Sequence, residues 1–384
     1  MGRWLRRLSV LALSPCVLST ALAHAQAPRP DAADAPRAQG VPFEVVSRQA
    51  EEAWAAGRPD EALRLFQAGL ELNPLWREGW WRVGLIHTSA ERFAQAREAL
   101  LHLVALEPDA GPAWALLGLC EYRLQEYDRA LAYLWKGTSL GPGDDAALRR
   151  ESLLHFALLL MRSGDFETAS KHLAPLVPRN ADDPRFVTAC GLLALRMPRL
   201  PTEIPDGERD LVATAGRAEC PALASHAEEA KPRFDELIAR YPRARGVHLA
   251  YGLFLRHGAS PDALAMLQKE AELFPDDPAA QLEIAFEILE RGRPADALVP
   301  ARTAARLAPD VFSSHLALGR ALVATGAVGE GLAELEEAAR LAPEELSIHL
   351  ELARAYASAG RPADVERARA KVRELDAKRG ARPD

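Results

Sequence analysis

A chain of 384 residues with 48% hydrophobic and 26% charged side chains can bury a core, which excludes a disordered polymer. Its formal charge of -7 argues against a generic nucleic-acid binder, because a phosphate backbone is met by a basic face. The length would allow two domains, but regular internal spacing favours one elongated array in which each unit needs only its neighbours.

Arg3, Arg6 and Arg7 precede an apolar run from Leu8 to Ala23, and Ala23-His24-Ala25 puts small residues before a cut at Gln26. This layout predicts a secretory signal peptide over 1–25, cleaved after Ala25, with an uncleaved anchor as the alternative. The mature protein is then periplasmic or secreted and keeps no stable membrane span. Leu13-Ser14-Pro15-Cys16 has the look of a lipoprotein site, but Pro15 stands where a small residue is wanted. Cleavage removes three arginines and no acid, so the mature chain is more acidic still. Residues 26–42 hold four prolines and no apolar period, which predicts a flexible leader. Cys120, Cys190 and Cys220 remain. An odd count leaves at least one thiol free, and whether Cys190 pairs with Cys220 stays open.

From Phe43 the chain repeats itself. Trp80 and Trp114 are 34 residues apart, as are Gly84 and Gly118, Ala96 and Ala130, and Pro108 and Pro142. Later, Gly292, Gly326 and Gly360 keep the same step, as do Ile284, Leu318 and Leu352, and Pro309 and Pro343. A fixed period of this length predicts helical hairpins stacked in a row. Four repeats are expected over 43–183, an irregular joint over 184–242, a second array with a charged capping helix over 243–378, and a tail over 379–384. Within the joint, Pro198, Pro201 and Pro205 stop the helix ending near Leu195 from gaining a partner. The count is about nine helix pairs and one unpaired helix.

The order Trp, Leu/Val-Gly, Ala, an apolar residue and Pro resembles the tetratricopeptide repeat, over roughly Phe43 to Lys378. The resemblance implies an all-α, right-handed superhelical solenoid of antiparallel helix-turn-helix units, with first helices lining a concave groove. The small residues then serve hairpin packing, the mid-repeat Gly supplies a left-handed turn, and the Pro ends the second helix.

Motifs for chemistry are sparse. Gly137-Thr138-Ser139-Leu140-Gly141 fits the G-x-S-x-G pattern but closes a second helix, whereas a nucleophile needs a strand-to-helix elbow. His102, His172, His315 and His349 form no close metal-ligand pairs with another His or Cys, so no metal and no cofactor are expected. His315 and His349 share the Trp80 slot, where packing between hairpins is the simpler reading.

By register, the resemblance places Trp81, Leu85, Leu119, Tyr122, Leu158, Met161, Leu192, Tyr251, Phe254, Leu282 and Phe286 on the groove, followed by Arg320 and Arg354. Trp81 and Tyr122 are the strongest anchors, since aromatic residues and Arg dominate interfaces. The family's clamp on a terminal carboxylate is not supported, because Leu85 and Leu119 stand where Asn is needed. The function expected is a non-catalytic envelope scaffold or adaptor for a protein or peptide, with no nucleic acid bound. The alternative is an accessory subunit that positions a separate enzyme or binds a glycan or cell-wall fragment.

Overall fold

The computed structural model describes residues 41–179 and 183–380, among which there are nineteen α-helices and no strand. The predicted signal peptide and all but the last two residues of the leader lie outside the described residues, as do 381–384 of the tail. Among the described residues, no helix is long and apolar enough to cross a membrane.

The chain divides into two compact units, one ending at Leu237 and one starting at Ile238. The first contains α1 (Phe43–Ala55), α2 (Pro59–Leu72), α3 (Arg77–Ser89), α4 (Phe93–Leu106), α5 (Gly111–Arg123) and α6 (Tyr127–Leu140). It continues with α7 (Ala146–Arg162), α8 (Phe166–Leu173), α9 (Pro184–Ala194), α10 (Arg209–Leu223) and most of α11 (Ala227–Arg240). The second contains α12 (Val247–His257), α13 (Ala263–Leu273), α14 (Pro278–Glu290), α15 (Pro294–Leu307), α16 (Phe312–Ala324), α17 (Val328–Leu341), α18 (Leu346–Ser358) and α19 (Pro362–Gly380).

Each first helix leaves its last turn through one residue of positive φ. These are Gly57, Glu91, Gln125, Gly164, Arg196, Ser225, Ala259, Gly292, Gly326 and Gly360. A left-handed residue at that point reverses the chain. Glycine was the expected occupant, yet half of the ten carry a side chain, Glu91 and Gln125 in the two best-matched repeats among them. The packing on either side holds these residues in a conformation that costs an L-residue about 1–2 kcal/mol.

Within a hairpin the two helices meet where bulk is missing. A Cβ on Gly84 would stand 2.8 Å from Leu100 Cδ2, and one on Gly118 2.8 Å from the Leu134 backbone nitrogen. In the second unit the same contact recurs, with a Cβ on Gly319 falling 2.7 Å from Leu335 Cγ. Leu100, Leu117 and Leu134 are fully buried as a result.

A second device explains why Pro and an aromatic N–H recur six residues apart. Trp80 Nε1 donates to the Pro74 carbonyl and Trp114 Nε1 to the Pro108 carbonyl, both at 2.8 Å. His248, His315 and His349 make the same bond through Nε2, to Pro242 at 3.0 Å, Pro309 at 2.9 Å and Pro343 at 2.8 Å. A carbonyl only accepts, so Nε2 carries the proton in each ring. His349→Trp is therefore expected to keep the melting temperature, whereas His349→Phe loses the bond at about 1 kcal/mol. Equal melting of the two variants would contradict this role.

The joint departs from the hairpin rule. After Arg196 the chain forms only one-turn 3-10 helices at Pro201–Glu203 and Asp206–Glu208. Leu200 and Ile204 are buried there, in place of a second helix. The helix expected to lack a hairpin partner, α9, has no second helix after it and packs directly on α10. Their approach is close enough that a Cβ on Gly216 would collide with the Val187 carbonyl oxygen, and one on Gly191 with that of Val212.

Candidate functional site

In the first unit the predicted face is partly open and partly filled. Trp81 and Leu85 on α3 are half-buried and pack on a core that includes Leu100, Leu103, Leu116 and Leu117. Leu119 and Tyr122 on α5 are also half-buried. Leu158 and Met161 on α7, at 4% and 0% exposure, and Leu192 on α9, at 0%, belong to the interior and offer nothing to a partner. The 34-residue step puts them on first helices, but neighbouring helices close over them. The long α7, with Asp145 capping its first turn through Ala147 N and Leu148 N, is buried from Phe156 to Met161.

Tyr122 sits among polar and aromatic neighbours that the period did not reveal. Its ring meets His155 edge-on at 4.4 Å and Tyr127 at 5.6 Å. The Arg162 guanidinium lies 4.7 Å from the Tyr127 ring and 3.7 Å from the Glu203 carboxylate. Burial pushes the Tyr122 hydroxyl up to about 12, so it remains a donor at neutral pH. Burial also lowers His155, with the Glu151 carbonyl and carboxylate pulling the other way.

Trp54 is a further aromatic residue on this unit that register alone could have found. It stands three residues before the left-handed Gly57, as Tyr122 stands three before Gln125. The Arg82 guanidinium lies 5.4 Å from its ring and pairs with Glu78 at 3.1 Å and Glu51 at 3.4 Å. Trp54, Pro59, Ile86 and Arg92 line a recess of about 470 Å³.

In the second unit Tyr251 is buried at 7% exposure, so it too leaves the face, although its ring stacks on half-buried Phe254 at 6.2 Å. Leu282 and Phe286 on α14 pack on Ala285, Ala301, Ala317, Leu318 and Leu322. The structure draws Phe286, Arg320 and Arg354 together. The Arg320 guanidinium lies 6.0 Å from the Phe286 ring, and Glu351 takes Arg320 at 3.5 Å and Arg354 at 2.9 Å. Two cations share one carboxylate, which leaves net positive charge. Arg354, with 72% of its side chain exposed, presents it to solvent. Arg256 is already matched by Glu283 at 2.5 Å.

Ser139 lies in the last turns of α6, not on an elbow, and its neighbour Thr138 donates to the Leu134 carbonyl at 2.8 Å. Among the described residues no three metal-ligating side chains converge.

Glu219 on α10 is half-buried, and burial pushes its carboxyl up from 4.5 to about 7 while Arg196 pulls it down. A carboxyl raised in this way holds its proton more tightly folded than unfolded. The stability it adds is complete below about 4.5 and is lost as pH rises through about 7. Glu219→Gln is expected to raise the melting temperature at about pH 8 and to leave it unchanged near pH 4. Equal shifts at both pH values would contradict this origin.

The tetratricopeptide repeat profile matches residues 47–101, 84–145, 224–278 and 316–381, together more than half of the chain. A curated relative, the BBSome complex member BBS4 homolog of Drosophila melanogaster, is 28% identical over 104 residues. That alignment takes 27% of this chain and spans about a fifth of the relative, 21% of its length. Among solved structures, yeast Tom70 aligns over 89% of this chain and 97% of its own, at 12% identity and a TM-score of 0.35. YrrB, described as a tetratricopeptide repeat protein with an unusual peptide-binding site, aligns over 54% and 90%, at 17% identity and a TM-score of 0.33.

Proposed function

The chain belongs to the tetratricopeptide-repeat family, and from that premise we propose that it is a non-catalytic scaffold or adaptor of the cell envelope, holding a peptide or helix of a protein partner against its first helices. Repeats of this family are protein-interaction scaffolds, and the general role follows from membership. The envelope setting rests on the signal-peptide pattern of residues 1–25.

One observation supports the site above the others. Trp81, Leu85, Leu119 and Tyr122 remain half-buried on consecutive first helices, whereas Leu158, Met161 and Leu192 further along the unit are covered. A half-covered aromatic is rigid before binding and still has surface to give, which limits the entropy lost on association. An amphipathic helix or an extended segment with apolar anchors fits such a surface. In the second unit, Phe254, Phe286 and Arg354 suit a segment that combines an apolar anchor with a carboxylate.

The test is capture by the mature chain from an envelope extract, followed by titration of the captured protein against the pure chain. A saturable one-to-one complex is the expected result. Retention on polysaccharide with no protein partner would favour the glycan-binding alternative and sink the proposal.

A further inference from the structure

Cys190 on α9 and Cys220 on α10 lie where these two helices come closest, with the Sγ atoms facing each other at 2.6 Å. Both residues are buried, at 0% and 2% exposure. The approach is built into the backbone, because Gly191 and Gly216 let each helix lie against carbonyl oxygens of the other. Cys220 also faces the Phe186 carbonyl, at 3.9 Å. As separate thiols the pair has no evident use. Burial and the neighbouring thiol raise Cys190 well above its ordinary value, which suppresses the thiolate needed for attack or metal binding.

We propose that Cys190 and Cys220 form a structural disulfide that staples α9 to α10 at the point where the repeat has lost its second helix. A small inward movement of the two sulfurs reaches the covalent separation of about 2.05 Å. The oxidant is a disulfide donor, either oxidised glutathione or a protein disulfide of an oxidising compartment. One cysteine thiolate attacks the donor disulfide and releases one donor thiol. The second cysteine then attacks the mixed disulfide and releases the other. The protein gives up two protons and two electrons, and the donor's S–S bond becomes two thiols. Exchange takes place as α9 and α10 dock, since the sulfurs are covered afterwards, and the same burial shields the finished bond from reductants. Cys120 stays a thiol: it is fully buried on α5, 3.6 Å from Thr88 Oγ1, and burial pushes it up to about 11. The odd number of mature cysteines is thereby accounted for as one pair and one buried thiol.

The test uses the mature chain, residues 26–384, reduced and unfolded, then refolded in a glutathione redox mixture and finally treated with iodoacetamide in denaturant, which exposes every thiol left free. It is digested with trypsin without reduction, which cuts at Arg196, Arg199, Arg209 and Arg217 between the two cysteines. The expected result is a chain that takes up one carbamidomethyl group where the reduced form takes up three, a linked pair of peptides holding Cys190 and Cys220, and alkylated Cys120. A chain refolded with excess reductant then melts several degrees below the oxidised one, whereas the Cys190→Ala/Cys220→Ala variant melts alike after either treatment. Alkylation of all three cysteines in a chain that had regained native helicity before the denaturant was added, or a link through Cys120, would overturn the proposal. The peptide map decides the matter even if the double variant fails to fold.

Discussion

Replacing Trp81 and Tyr122 together by alanine is expected to weaken partner binding by about a hundredfold or more, while the helical signal in circular dichroism is kept. Truncating an interface aromatic of this kind typically costs at least about 2 kcal/mol, roughly a factor of 30 in affinity. Both side chains are half-buried, so part of each belongs to the fold. Trp81 rests on the core beneath α3, and Tyr122 packs edge-on against His155. For that reason Tyr122→Phe is the control. It keeps the ring contacts with His155 and Tyr127 and removes only the hydroxyl, so binding should fall far less than with alanine. Full affinity in the double variant, measured by calorimetry, would move the binding surface elsewhere.

The second large effect is on stability. Gly216→Val is expected to prevent α9 and α10 from docking and to lower the melting temperature more than any other glycine change in the first unit. A side chain there enters the Val187 carbonyl, a backbone atom that cannot rotate away. Overpacking normally costs about 1–3 kcal/mol, and a clash with backbone belongs at or above the top of that range. Gly207→Val is the control, because a Cβ there meets no atom within 4 Å and the residue has no positive φ. Between these limits lies Gly84→Leu, where the obstacle is the flexible end of Leu100. Equal melting temperatures for the Gly216 and Gly207 variants would show that the close crossing is not required.

The fold was legible because its signals are periodic. Trp80 and Trp114, Gly84 and Gly118, and Pro108 and Pro142 each record a contact that every hairpin must make, so the same residues recur at the same step. Where a contact can be made by different chemistry, the sequence was less explicit. The Trp80 slot needs a ring N–H directed at the preceding Pro carbonyl, and His248, His315 and His349 meet that need as well as Trp. The left-handed turn is likewise met by Glu91 and Gln125, because tertiary packing overrides the local preference for glycine.

The candidate site was only partly legible, and the reason is physical. Register fixes which way a residue leaves its helix, but coverage depends on how far the next helix overlaps it. That is why Trp81 and Tyr122 keep surface while Leu158, Met161, Leu192 and Tyr251 are sealed. Contacts formed by tertiary meeting were also invisible in the period. Glu351 joins Arg320 to Arg354, and Arg162 links Tyr127 to Glu203, through residues that share no repeat slot. Trp54 could have been found, because its distance from Gly57 matches that of Tyr122 from Gln125. It was overlooked because the first helix of that repeat has lost its other landmarks.

Site-specific photo-crosslinking of the captured complex tests the central claim most directly. A benzophenone side chain would be placed in turn at Leu85 and Leu119 on first helices, and at Trp135 on the second helix α6, where the side chain is already 45% exposed. Adducts with the partner at 85 and 119, and none at 135, are the predicted result. Adducts at 135 with none at 85 or 119 would contradict the assignment of the binding face to the first helices.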